Sequence, residues 1–401
     1  MKLLQINATY GKGSTGRIVR DIHEQAIQNG IDSYVACPSG SDGSHVYTIG
    51  NKFDHKIHAF LCRINGRQAY FSKSATKKLL KYMDEMKPDI VHLHNLHSNF
   101  IHLNILLDYI SKKNIALVIT MHDCWYFTGK CFHYTMEKCY RWKSGCGKCP
   151  KRNSDTPVWL FDMSSKTYQD KKKRFEKIKN LYVVGASKWI ADEAKQSLLK
   201  CAKSISYCHN GVDLNVFKPS AENYREEYGI KDGDFVILGM AGKWRLPQNK
   251  DSLTEVCSML SDNVKLVMIG ADEGMALPEN VIRVSTVQGA GKMAKWYSTA
   301  DVFVNLTWED TLPFVNIEAM ACGTPIITHH TSGAVETIDE KTGISVTPGN
   351  AAELKSAILS VIKNKKAYYT DECVKRARLM FNVIESYDKY FEIYEEIENE
   401  R

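Results

Sequence analysis

A chain of 401 residues is longer than one ordinary core can fill and fits two domains of about 200 residues each. Hydrophobic content of 44% with 25% charged residues is that of a soluble globular protein, and a net charge of +7 is too mild to point to nucleic acid by itself. No run of about 18 apolar residues is present, which excludes a membrane-spanning helix, and Gln5 and Asn7 break the only apolar stretch near the start, so no secretory core forms there. The twelve cysteines are therefore expected to be reduced, in the cytoplasm.

In chain order, residues 2–8 read as a short strand, and a helical pattern begins at Arg17. The turn from Thr9 to Gly16 carries Gly11, Gly13 and Gly16 and looks like a phosphate-cradling loop. It is not a Walker loop, because no Gly-Lys-Ser/Thr closes it. It is a poor dinucleotide fingerprint too, because Asp32 is the only acid near the required ribose position.

Residues 51–81 hold Lys52, Lys56, Arg63, Arg67, Lys73, Lys77, Lys78 and Lys81 against the single acid Asp54. Ile57, Phe60, Leu61 and Ile64 within it are spaced as one helical face. That pattern suits either an amphipathic helix lying on an anionic membrane or a core-facing helix with a solvated basic face. Residues 89–94, 116–121 and 183–187 are further apolar strand-like runs. His122 ends the second of these and opens a loop, while His92 and His94 alternate on the first, as packing residues of one strand face would.

Cys131, Cys139, Cys146 and Cys149 crowd the following loop. The last pair has the two-residue gap that lets both thiolates reach one ion, and four sulfurs would close a structural zinc shell. Lys138, Arg141, Lys143 and Lys148 nearby would favour the thiolates, and His133 is a substitute ligand. Free thiols packing the loop are the alternative.

The pattern is interrupted at residues 209–222 by Asn210-Gly211 and Pro219, which marks the domain boundary and a hinge. The expected division is 1–208, 209–380 and a terminal segment 381–401, an acidic-aromatic helix from about residue 386 that packs back on the first domain. Strands are expected at 235–240, 264–269, 281–284, 302–306 and 325–328, and helices at 251–260, 292–299 and 314–321. Strands alternating with helices in both halves predict an α/β chain of two doubly wound parallel sheets, with a site where the carboxyl ends of the strands face a cleft.

The most informative segment runs from Asp310 to Ile327. A polar loop meets a helix start, whose exposed N–H groups and partial positive charge can seat a diphosphate. Glu318, a turn inside, can accept hydrogen bonds from paired hydroxyls such as those of a ribose. Lys243, Arg245 and Lys250 follow the 235–240 strand and are the candidates to meet the leaving phosphates.

These residues carry a resemblance. The 310–318 segment resembles the paired-acid region of family-4 glycosyltransferases, and so do residues 88–95, 120–125, Asn210-Gly-Val-Asp213 and Gly333-Ala-Val-Glu336. The stretch after Met121 (His-Asp-Cys-Trp-Tyr-Phe-Thr-Gly-Lys-Cys) is similar to the colanic-acid and capsule-biosynthesis type. The resemblance spans both halves. It implies a GT-B fold and a retaining transfer of a hexose from a UDP- or GDP-sugar, with no cofactor for catalysis. The acceptor it implies is a saccharide, lipid-linked at the inner membrane face, in surface polysaccharide synthesis, with no nucleic-acid partner.

By the same resemblance His122 is the active-site histidine, Gly16 lines the site, and Leu312, Pro313, Phe314 and Glu318 bind the donor. The family has Glu as the first acid of the pair. Here the register gives Asp310, with Glu309 beside it, and either can serve. A nucleotide-sugar epimerase is the rival enzyme on the same fold, and a zinc-containing nucleic-acid binder is the rival outside enzymes.

Overall fold

The computed structural model describes residues 1–39 and 45–400. It divides into two compact units, Met1–His209 with Tyr387–Arg401, and Asn210–Ser386.

The first unit is built on a parallel sheet of β1 (Lys2–Ile6), β2 (Asp32–Cys37), β3 (Val46–Thr48), β4 (Ile90–Leu93), β5 (Ala116–Met121), β6 (Leu181–Gly185) and β7 (Ser204–Tyr207). The order across the sheet is β3-β2-β1-β4-β5-β6-β7. β4, β5 and β6 are buried along their whole length, as a parallel sheet covered on both faces requires. The winding reverses between β1 and β4, so the loops after these two strands part and leave room at their carboxyl ends.

The last helix, Val383–Asn399, returns to this unit through Tyr387, Tyr390 and Tyr394, all buried. Tyr394 Oη meets His92 Nδ1 at 2.6 Å, and Thr120 Oγ1 donates to Tyr390 Oη over 2.9 Å. The aromatic positions thus cover the sheet, while the glutamates between them stay wet.

The basic stretch folds as two helices, Lys52–Asn65 and Lys73–Met86. Asn51 caps the first by accepting from the Phe53 and Asp54 amides, and Gly66 ends it in the left-handed conformation. The face it buries is His58 and Cys62, so Leu61 and Ile64 are half-buried while Phe53, Ile57 and Phe60 are exposed. That differs from the single face of Ile57, Phe60, Leu61 and Ile64 expected from spacing.

The second unit holds a parallel sheet of β8 (Phe235–Met240), β9 (Val264–Ile269), β10 (Ile282–Val284), β11 (Val302–Asn305), β12 (Ile326–His329) and β13 (Gly343–Val346). Its order is β10-β9-β8-β11-β12-β13, with the reversal between β8 and β11. Val212 pairs with Asn382 where the entering and leaving chains cross. A Cβ on Gly211 would lie 2.4 Å from Val383 Cα, so only glycine fits that crossing. Among the described residues no helix is long and apolar enough to cross a membrane.

Candidate active site

In the first unit the loops after β1, β4 and β5 emerge side by side. Gly11 N donates to Gly16 O over 2.8 Å, folding the glycine loop onto the start of the helix Gly13–Gln28. A Cβ on Gly16 would meet Thr9 Oγ1 at 2.7 Å, so this glycine is needed for close approach of the loop. Asn7 ties the group together, donating to Thr9 O over 2.7 Å and accepting from Asn95 N over 3.0 Å. His122 follows β5 and is half-buried, with Nε2 3.1 Å from His94 Nδ1.

Burial pushes the His122 imidazole down to about 4, with Asp123 pulling the other way, so the ring is neutral at pH 7. Burial works to raise Asp123, but His97 at 3.0 Å and the Trp125 amide at 2.8 Å hold its carboxyl below the usual range. This fixes the turn that carries His122. His94 is fully buried and is also pushed well down by burial and by its histidine neighbours.

The zinc expectation is corrected here. Cys131, Cys139, Cys146 and Cys149 do line one small cavity, but among the described residues no group of three or more His, Cys, Asp or Glu is arranged to hold a metal ion. Burial pushes the thiol of Cys131 up to about 12 and that of Cys146 up to about 11, and raises Cys149, opposite to the lowering expected from nearby cations, so these groups pack the loop as thiols.

Two buried ammonium groups hold the loop instead. Lys130 Nζ donates to the carbonyls of Lys151, Arg152 and Ser154, and Lys171 Nζ donates to those of Trp125 and Thr128 while sitting 3.6 Å from the Trp125 ring centre. Burial lowers Lys171 to about 7. Nothing in the sequence spacing marks these lysines, because only the fold turns them inward.

In the second unit the helix Phe314–Ala321 follows β11 and starts at Pro313. Leu312 and Pro313 are buried against the sheet, and Phe314 is half-buried at the helix start. Glu318 is 6% exposed and accepts from Tyr297 Oη over 3.1 Å. Asn316 locks the helix, accepting from Asn305 Nδ2 over 2.8 Å and donating to Thr337 Oγ1 over 3.0 Å. Asp310 and Glu309 are half-buried in the preceding loop, and Asp310 O accepts from Gly333 N over 3.2 Å, joining that loop to the turn Ser332–Thr337. At this junction Thr311 Oγ1 and Ser332 Oγ are buried without a hydrogen-bond partner among the described residues. Buried orphan hydroxyls beside a helix start are what a polyoxygen ligand would satisfy.

The three cation candidates separate. Lys243 Nζ donates to Thr307 Oγ1 over 3.0 Å, and Thr307 Oγ1 donates to Glu309 O over 3.2 Å, which brings this ammonium to the acidic loop. Arg245 instead pairs with Asp272 at 3.0 Å. Lys250 is exposed at the start of the helix Lys250–Ser258 and lines a surface depression of about 360 Å³ with Arg245 and Asp272.

Sequence reasoning missed Asn249. It is fully buried, donates to the carbonyls of Lys243 (2.9 Å) and Leu306 (2.8 Å) and accepts from Trp308 Nε1 (2.8 Å). It therefore staples the short helix Ala241–Trp244, which carries Lys243, to the acidic loop. Its signal was only an asparagine among lysines, which reads as a surface turn.

A surface feature also emerges. The amides of Trp159, Leu160 and Phe161 donate to Arg63 O and Ile64 O, which hangs this apolar triplet on the end of the helix Lys52–Asn65. Trp159, Leu160 and Phe161 are 54%, 60% and 62% exposed, beside Phe53 at 70% and Phe60 at 57%. Exposed Lys52, Lys56, Arg63 and Arg152 border them. Arg67 does not belong to this rim, since it pairs with Asp170.

Two doubly wound parallel sheets, one with histidines past its carboxyl ends and one with an acid-bearing helix start, form the GT-B architecture, and the family matches supply the activity. The profile of Glycosyltransferase Family 4 matches residues 15–216 and that of Glycosyl transferases group 1 matches residues 236–364. The chain belongs to Glycosyltransferase Family 4. It is 24% identical to the putative colanic acid biosynthesis glycosyl transferase WcaC of Escherichia coli (strain K12) over 372 residues, 88% of this chain and 89% of that one. Among solved structures, the sucrose-phosphate synthase of Thermosynechococcus elongatus superposes with a TM-score of 0.72 at 16% identity, over 100% of both chains. Anabaena HepE in complex with UDP gives 0.66 at 15% identity, over 99% of this chain and 100% of that one.

Proposed function

We propose that the protein transfers a hexose, with retention, from a UDP- or GDP-sugar to a lipid-linked saccharide during surface polysaccharide synthesis, at the inner face of the cytoplasmic membrane. The observation that carries the donor reading is the junction at Asp310. A helix start, the Lys243 ammonium and two orphaned hydroxyls converge on one loop, with Glu318 buried a turn inside. Glu318 takes the ribose hydroxyls, the N–H groups at Phe314 and the Lys243 ammonium take the diphosphate, and Asp310 or Glu309 takes the sugar. Charge that develops on the departing diphosphate is stabilised by groups already in place. His122 takes a substrate hydroxyl, and Gly16 keeps the neighbouring loop close. Lys250 and Arg245 contribute less, being turned to the Asp272 depression.

The anionic membrane surface is the second part of the reading. Exposed Trp159, Leu160, Phe161, Phe53 and Phe60 within a basic rim suit the boundary between headgroups and acyl chains, which would bring the enzyme to a lipid-linked acceptor. The relationship to WcaC supports a polysaccharide product, and the UDP held by HepE supports a nucleoside-diphosphate donor.

A thermal-shift screen of UDP, GDP and their sugars tests the donor class, since a ligand of the folded state raises its stability. One uridine or guanosine diphosphate family should shift the melting midpoint, and that sugar should release its nucleoside diphosphate when acceptor is added. No shift with any of them would overturn the reading.

A further inference from the structure

His122 does not stand alone. Its Nε2 lies 3.1 Å from His94 Nδ1, and His94 Nε2 lies 3.1 Å from Gln5 Oε1. The two imidazoles are inclined by only 17°, with ring centres 5.4 Å apart. That spacing is the nitrogen-to-nitrogen distance plus the two ring radii. The rings therefore meet edge to edge in nearly one plane, the geometry of an in-line N–H···N bond rather than of a stack.

The direction of the protons along this chain follows from its far end. The Gln5 amide nitrogen donates to Val19 O over 3.2 Å, and a backbone carbonyl can only accept. The amide is thus fixed with Oε1 toward His94, because the flipped amide would set two oxygens against each other. An amide oxygen also only accepts, so His94 must carry its proton on Nε2. His94 is fully buried and neutral, so its Nδ1 holds a lone pair. His122 must then donate from Nε2, and its lone pair lies on Nδ1.

We propose that Gln5 and His94 are positioning residues that lock His122 in the Nε2–H tautomer, so that the ring atom offered to substrate is the unprotonated Nδ1, an acceptor for a sugar hydroxyl. The catalytic part rests on the reading that His122 touches substrate; the tautomer does not. Three strands build the lock, because Gln5 lies on β1, His94 just past β4 and His122 just past β5, neighbours in the sheet. Val19, on the helix after β1, supplies the reference carbonyl.

Long-range proton–nitrogen NMR of protein labelled with nitrogen-15 at histidine reads the tautomer directly, with His122 assigned by its loss in His122→Gln. At pH 7.5 the His122 Nε2 should show the shift of a protonated ring nitrogen and Nδ1 that of an unprotonated one. The reverse pattern would overturn the lock. Gln5→Leu removes the acceptor and the reference together. It should mix the two His122 tautomers and lower kcat about tenfold, with donor KM within about twofold. Gln5→Met serves if Gln5→Leu does not fold. An unchanged His122 tautomer in the folded variant would overturn the role of Gln5. A native kcat in His122→Gln would remove His122 from the site while the tautomer result stood.

Discussion

Lys243 Nζ and Thr307 Oγ1 lie 3.0 Å apart, joining the short helix Ala241–Trp244 after β8 to the loop after β11 on either side of the reversal in the second sheet. The ammonium is therefore held at the acidic segment before any ligand arrives. Lys243→Met should lower kcat/KM for the donor about 10- to 100-fold, the loss of a charge-assisted contact of about 1.5–3 kcal/mol. Arg245→Met, which breaks the pair with Asp272, should cost less than about threefold. Steady-state kinetics decide. Equal losses in the two variants would mean that Arg245 leaves Asp272 for the phosphates.

Phe60 and Trp159 meet edge to face with ring centres 5.9 Å apart, joining the first basic helix to the exposed triplet. Phe60→Ser with Trp159→Ser and Phe161→Ser should reduce binding to vesicles containing anionic lipid at least tenfold while leaving the melting midpoint near native, because these side chains are exposed. Binding by the native protein should weaken as salt rises. Equal sedimentation with neutral and anionic vesicles would remove the membrane surface from the account.

Buried histidines give stability a pH dependence of known sign. Burial lowers His58 and His92 to about 3, whereas the unfolded chain takes up protons near 6.5. Above pH 6.5 both states are neutral at these sites and nothing changes. Between 6.5 and about 3 only the unfolded state binds the proton, so stability falls as pH falls. Each such histidine costs roughly 2 kcal/mol by pH 5. Denaturant midpoints at pH 7.5 and pH 5.0 should differ clearly, with a smaller difference in His58→Gln. Identical midpoints would contradict the burial of these rings as neutral groups.

The sequence and the structure agree where a signal is continuous along the chain. β1, β4, β5, β8, β9, β11 and β12 are apolar runs long enough to be read directly. β2, β3, β7 and β13 escaped: the last three lie at sheet edges, where Ser-Ile-Ser-Tyr or Gly-Ile-Ser-Val suffices, and β2, though interior, opens on the polar pair Asp32-Ser33. In the segment Asp310 to Glu318 the loop, the helix start and the acid could be placed from sequence because they lie in one stretch. Asn249, and the chain of Gln5, His94 and His122, gather residues that only the sheet order makes neighbours. The cysteine loop misled because spacing is visible in a sequence and the arrangement of the side chains is not. The lysines that hold the loop, Lys130 and Lys171, look like any surface lysine until the fold encloses them.

The claim on which the account rests is that Glu318, buried one turn inside the helix Phe314–Ala321, holds the nucleotide of the donor. Calorimetric titration of UDP and GDP into the native protein and into Glu318→Ala tests it most directly. The native protein should bind one of the two nucleotides, and Glu318→Ala, checked for native fold by circular dichroism, should bind it at least tenfold more weakly. This is the loss of about 1.4 kcal/mol or more expected when hydroxyls lose a carboxylate acceptor. Native affinity in a folded Glu318→Ala protein would contradict the assignment of this helix as the donor site.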